Sequence, residues 1–160
     1  MRLKFMAAIP ALLAVPAVLA QSDSGAFTVG DIRVEDEDRR YVHANAWAPQ
    51  QWGYISNALA AAQSIAATRQ RVTFCGHVHE PALYHSQPEG GARHFPPSPG
   101  TAMPLIGSRR WLALPGSGGQ PRDGNPLASF AMFDSDTRSV TVYRVAYRVE
   151  RAQRKILDAG

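Results

Sequence analysis

Phe74-Cys75-Gly76-His77-Val78-His79-Glu80-Pro81 is the stretch that decides how this chain reads. Arg71-Val72-Thr73-Phe74 leads into it and is β-branched and aromatic, as strands are. In an extended segment residues i and i+2 point the same way, which predicts that His77 and His79 share one face just past the strand end. Neutral imidazole is the commonest metal ligand, and two on one face suit zinc, manganese, iron or nickel. A bare His-x-His also has a bland reading, as surface or packing residues. The context favours a site: Gly76 permits close backbone approach, and Pro81 is expected to force a turn. Cys75 beside His77 is expected to be a small buried strand residue rather than a ligand.

Outward from this stretch, residues 53–68 form the clearest helix pattern, with Ile55, Leu59, Ala62 and Ile65 on one face. Upstream, Ile32-Arg33-Val34 and Arg40-Tyr41-Val42-His43 read as strands around Glu35-Asp36-Glu37-Asp38, a solvated turn. Trp47, Pro49, Trp52 and Tyr54 make an aromatic loop after His43, expected to cover the site. Residues 86–109, rich in Pro and Gly, read as one long loop, with His85 and His94 as surface histidines. Three more strands are predicted at Arg110 to Leu114, Ala128 to Phe133 and Val140 to Tyr147, with a polar turn at Asp134 to Thr137. A short amphipathic helix with Val149, Ala152 and Ile156 on one face closes the chain.

The 160 residues suit one domain, and 45% hydrophobic with 19% charged residues is a globular composition. Net charge is +4, of which Arg2 and Lys4 at the start contribute two. The remaining bases are scattered, which argues against nucleic acid as a partner because that footprint is clustered. A mildly positive balance tolerates phosphorylated substrates. The single cysteine excludes an internal disulfide. Gly116-Ser117-Gly118-Gly119 lacks the Lys-Ser/Thr of a phosphate-cradling P-loop, and no Gly-x-Ser-x-Gly elbow is present.

Residues 1–20 carry a basic start, an apolar run from Phe5 to Leu19, and Val18-Leu19-Ala20 before Gln21. This is a secretory-signal pattern, too short for a stable membrane span. Export to the periplasm with a mature start at Gln21 is one reading; a cytoplasmic chain with a misplaced start is the other.

Cys75-Gly76-His77-Val78-His79-Glu80-Pro81-Ala82-Leu83-Tyr84 resembles the last metal-binding motif of the calcineurin-like metallophosphoesterases. Tyr41-Val42-His43-Ala44 looks like that family's strand ending in a metal-binding histidine. Pro115-Gly116-Ser117 through Pro126 is similar to its Pro-Gly-Ser loop and the segment after it, although Leu114 stands where relatives commonly carry Asn. The resemblance covers residues 31–160. The family's Asp-x-His, Gly-Asp-x-x-Asp and Gly-Asn-His-Asp/Glu motifs have no counterpart in this sequence.

The resemblance implies an α/β fold, a four-layer sandwich of two β-sheets flanked by helices, of which this chain is expected to be the C-terminal half (residues 21–160). Alone, such a half exposes sheet edges and apolar surface. It implies metal-dependent phosphoester hydrolysis, with His43 and His77 on one divalent metal and His79 on another. No residue matches the bridging ligand or the leaving-group acid, so weak or absent activity is expected of the single chain, unless a second chain supplies the missing half. The alternative is a non-enzymatic exported metal-binding protein that retains His43, His77 and His79.

Overall fold

The computed structural model describes residues 33–35 and 38–159, so the signal-like segment 1–20 and Asp36 and Glu37 of the acidic turn lie outside the described residues. The chain runs β1 (Arg33–Glu35), β2 (Arg39–Val42), a 3₁₀ turn (Pro49–Gln51), helix α1 (Ala58–Ala66), β3 (Val72–Cys75), β4 (Pro81–Ser86) and β5 (Ala92–Phe95). It continues through β6 (Ala102–Pro104), β7 (Trp111–Pro115), β8 (Ala128–Asp134), β9 (Ser139–Val145) and helix α2 (Val149–Ala159). Six strands form one sheet in the order β1-β2-β3-β7-β4-β5, and three form a second in the order β6-β9-β8. β2, β3 and β7 are mutually parallel; every other pairing is antiparallel.

Alternation along the central strands divides the core in two. Phe74, Leu83, Trp111 and Ala113 face the second sheet and meet Leu105, Ala131, Val140 and Val142. Cys75, Ala82, Tyr84, Leu112 and Leu114 point to the opposite face, where Ala61 and Ile65 of α1 cover them. Strands buried on both faces read as continuous apolar runs, and Trp111–Pro115 is buried throughout. The mixed α/β fold of two facing sheets and two helices is the class the sequence led us to expect.

Helix α1 begins where the Asn57 side chain accepts the Ala60 amide at 2.9 Å. It is shorter than the predicted 53–68, because Ile55 packs into the core ahead of the first turn. At its other end Arg40 donates to the Ala67 carbonyl at 3.2 Å, and Arg110 to the Ile65 and Thr68 carbonyls at 3.0 and 2.9 Å. Two guanidinium groups thus meet the carbonyls that a helix C-terminus leaves unpaired, and the negative end of its dipole.

Three expectations fail. Pro81 does not make a turn but opens β4, opposite Pro115 of β7. The stretch 86–109 is not one loop: β5 pairs with β4, and β6 with β9. His85 is not a surface residue; it is 6% exposed, its ring 5.1 Å from that of Trp111.

Phe130 and Tyr143 stack at 5.1 Å on the other face of the second sheet. Helix α2 does not supply the covering layer there, since none of its residues is buried. Among the described residues no helix is long and apolar enough to cross a membrane.

Candidate metal centre

The three parallel strands end at the same side of the sheet, and the residues that follow them build the site. Ligands of open α/β sheets gather beyond the carboxyl ends of parallel strands. His43 follows β2, His77 follows β3 after Gly76, and the Gly116-Ser117 turn follows β7. The register Val42↔Cys75 puts His43 level with Gly76, and the Gly76 amide donates to the His43 carbonyl at 2.9 Å. A Cβ at position 76 would stand 3.3 Å from that carbonyl, so the close approach suits glycine.

The His-x-His pair is not extended, so the expectation of one face from i and i+2 alternation does not apply. Val78 donates to the Gly76 carbonyl at 2.8 Å, a three-residue turn centred on His77. His77 has φ 67° and His79 φ 66°. A γ-turn with positive φ is the strained form, and each left-handed non-glycine residue costs roughly 1–3 kcal/mol. Such strain is characteristic of sites that must aim side chains. Here it delivers the His77 ring to His43: Nε2 of His43 lies 3.1 Å from Nδ1 of His77.

His79 is fixed differently. Its Nδ1 lies 2.9 Å from the Gln120 carbonyl, and the Arg122 amide donates to the His79 carbonyl at 3.2 Å. A carbonyl only accepts, so Nδ1 carries the proton and Nε2 is left with its lone pair. Behind this contact the buried Ser117 hydroxyl accepts the Gly119 and Gln120 amides at 3.4 and 3.0 Å. Gly116 has φ 85°, and a Cβ there would lie 2.7 Å from Ser129 Cβ and Oγ.

The aromatic loop closes over the histidines, as its composition suggested. Asn45, fully buried, donates to the Gly53 carbonyl at 3.0 Å and accepts the Ala48 amide at 2.7 Å, pinning the loop at both ends. The 3₁₀ turn leaves Trp52 at φ 54°, with its ring 4.3 Å from that of His43. Tyr54 stacks on His77 at 4.3 Å. Burial under these rings pushes the His43 pKa down to about 4, and the neighbouring His77 and His79 add to the fall. His77 is lowered too, first by burial, then by His79; a backbone contact to Trp52 opposes this, and the Arg122 charge reinforces it. Both rings are therefore neutral at pH 7, the form that binds metals.

Two imidazole nitrogens each about 2.0–2.1 Å from one zinc ion stand about 3.3 Å apart at the tetrahedral angle. The observed 3.1 Å is a hydrogen bond between the two rings and is also close to that spacing. Once its proton moves to the other ring nitrogen, His43 and His77 fit two positions on one ion. Among the described residues no three His, Cys, Asp or Glu side chains form a group that could hold a metal. Cys75 is excluded by burial, which raises its thiol to about 12, against small lowering effects of Ser64 and Arg40. His85 contacts Arg109 and Gln87, and His94 lies against Tyr84; neither joins the pair.

Reading the sequence missed Asn45, Gln120 and Arg122. Gln120 acts through its carbonyl, which carries no signal in residue type. Arg122 lies in the segment similar to known relatives but gave no hint of where its side chain turns.

No family model matches the chain. It is 41% identical over 49 residues to the uncharacterized protein MJ0912 of Methanocaldococcus jannaschii, a match covering 31% of this chain and 20% of that protein. Its structure is similar to that of a metallophosphoesterase from Sphaerobacter thermophilus, with a TM-score of 0.68 and 35% identity, over 80% of this chain and 53% of the other. The chain thus spans about half the length of the solved relative and a fifth of the curated one. The architecture is consistent with part of a metallophosphoesterase fold.

Proposed function

We propose that this chain carries one metal position of a phosphoester-hydrolysing site, held by His43 Nε2 and His77 Nδ1. The observation behind this reading is their 3.1 Å separation beyond the ends of adjacent parallel strands. Similarity to a metallophosphoesterase supports the reaction class. A divalent ion, when bound, supplies Lewis-acid stabilisation of charge developing on phosphoryl oxygens. The chain's own residues prepare the position. Trp52 and Tyr54 shield the two imidazoles and keep them unprotonated. The Gln120 carbonyl turns the lone pair of His79 outward on Nε2, where it is available to a second ion.

Two imidazoles hold an ion weakly, and among the described residues no carboxylate joins them in a group that could bridge it to a second. The isolated chain is therefore expected to bind at most one equivalent of manganese or zinc and to show phosphatase turnover near background. A second chain contributing the missing ligands would complete the site. Titration calorimetry with manganese and zinc, alongside an aryl phosphate assay, tests this. His77→Ala should abolish binding and His94→Ala should leave it unchanged. Metal binding that survives His77→Ala would refute the assignment. Robust turnover lost in His77→Ala would mean that the missing ligands come from elsewhere, most simply from a second copy of the chain.

A further inference from the structure

Arg122 is set apart from the ion-paired arginines by its neutral partners, and from Arg109 and Arg110, which also have neutral partners, by its place beside the candidate histidines. Arg144 is paired with Asp123, Arg71 and Arg138 share Asp38, and Arg110 caps helix carbonyls. The side chain of Arg122 meets only neutral groups: Nη1 lies 3.4 Å from the Tyr54 hydroxyl and Nη2 3.2 Å from Gln120 Oε1. Among the described residues it has no carboxylate within ion-pair distance. The obvious candidate, Asp123 next in sequence, is turned away to Arg144, which also donates to the Leu127 carbonyl.

Its position is fixed relative to the histidines by three ties. The Arg122 amide donates to the His79 carbonyl, Gln120 contacts His79 through its main chain and Arg122 through its side chain, and Tyr54 stacks on His77 while touching the guanidinium. The residue itself is exposed, so the charge is open to solvent on the metal-binding side. A guanidinium offers five N–H donors in a planar fork, of which these two contacts use one each. The free donors match two oxygens of a phosphoryl group, the geometry in which arginine surpasses lysine.

Resting on the phosphoester reading above, we infer that Arg122 is the substrate-anchoring residue of this site and holds the non-bridging oxygens of an anionic phosphoester. Tyr54 and Gln120 pre-set the fork, so that little side-chain freedom is lost on binding. Asp123 is held off by Arg144, and among the described residues no internal anion competes.

The test uses the full chain without added metal and inorganic phosphate as the probe, with binding followed by ³¹P NMR at constant ionic strength. Saturable binding is expected. Arg122→Ala should weaken it by roughly tenfold or more, the worth of a hydrogen bond between charged groups. Arg122→Lys, which keeps the charge and loses the fork, should fall between the two. Arg151→Ala on the exposed face of α2 should match the unaltered protein. Unfolding midpoints of all variants should agree, because Arg122 makes only exposed, neutral side-chain contacts. Absence of phosphate binding, equal binding by Arg122→Ala, or an equal loss in Arg151→Ala would overturn the inference. Manganese binding measured without phosphate reports separately on His43 and His77. Loss of either result therefore leaves the other standing.

Discussion

The strand-end corner and the C-terminal helix use opposite means to hold their shape. At the corner, His77, His79 and Trp52 sit at positive φ, a local cost, and the cost is offset by contacts between segments far apart in sequence. His43 meets His77, Gln120 meets His79, and Ser129 meets the Gly116 turn through its bonds to Pro115 and Ser117. Helix α2 has the reverse character. Its apolar stripe at Val149, Ala152 and Ile156 follows helical spacing, yet none of its residues is buried. Local pattern suffices to write a helix; only tertiary contact can sustain strained loops. Substitutions should therefore be felt in proportion to the non-local contact they break.

Gly116→Ala gives the sharpest form of this contrast. The backbone there is left-handed, and the new Cβ would lie 2.7 Å from both Ser129 Cβ and Oγ. Ser129 cannot yield, because its hydroxyl donates to the Pro115 carbonyl at 2.7 Å and its amide to the Ser117 carbonyl at 2.7 Å. A loss of about 3 kcal/mol or more is expected in urea unfolding, since backbone strain and overpacking add. Gly119→Ala, two residues past Ser117 with nothing within 4 Å of its Cβ, should stay within about 0.5 kcal/mol. Equal effects at the two glycines would show that the corner is not held as described.

Acid should loosen the same corner. The His43 pKa is about 4 when folded, against an ordinary value of 6.5. Between those values the unfolded chain binds the proton that the folded chain refuses, so stability rises with pH across that window. The contribution is complete above about pH 6.5, falls away as pH drops towards 4, and is spent below it. Because the ring is only partly shielded and coupled to His77, a loss of about 1–3 kcal/mol is expected for the metal-free protein. Denaturant unfolding at pH 7, 5.5 and 4.5 measures it, and His43→Gln should flatten the acid limb. An unchanged slope in that variant would assign the pH dependence to other groups.

How much of this could be read beforehand follows the same divide. Strands β3, β7, β8 and β9 carry their pattern in their own residues and were legible. Helix α1 was legible as a helix but not its face, since Leu59 of the expected apolar stripe is 72% exposed while Ala61, Ser64 and Ile65 are buried. β5 was not: Arg93, His94 and Phe95 are exposed, and the strand exists because Leu83 to Ser86 offer it a partner. His85 looked like a surface residue because Arg109 and Trp111, which contact it, lie beyond two intervening strands in sequence. At the site, His43 and His77 could be paired through resemblance, but their direct contact depends on the parallel register of β2 and β3. His77 and His79 were expected on one face of an extended backbone; both are left-handed instead, with His77 turned to His43 and His79 to the Gln120 carbonyl. Arg122 was invisible because its isolation depends on Asp123 choosing Arg144, a contact spanning 21 residues.

The smallest effect is expected at the other pole of the comparison. Ile156 is 70% exposed and Leu157 80%, so neither contributes a buried side chain. Replacing both with serine removes apolar surface that is already in water, and surface substitutions of this kind stay within about 0.5 kcal/mol. Serine is a poorer helix former than leucine by a few tenths of a kcal/mol and about equal to isoleucine, so the Leu157 site should fray α2 slightly without reaching the sheets. Far-UV circular dichroism should therefore lose a little helix signal while the urea midpoint of the main transition holds. A loss above about 1.5 kcal/mol would mean that α2 packs its stripe against something in solution. If that loss also depended on protein concentration, the covering surface would be a second copy of the chain; if not, the outer face of the second sheet around Phe130 and Tyr143 is the surface at hand.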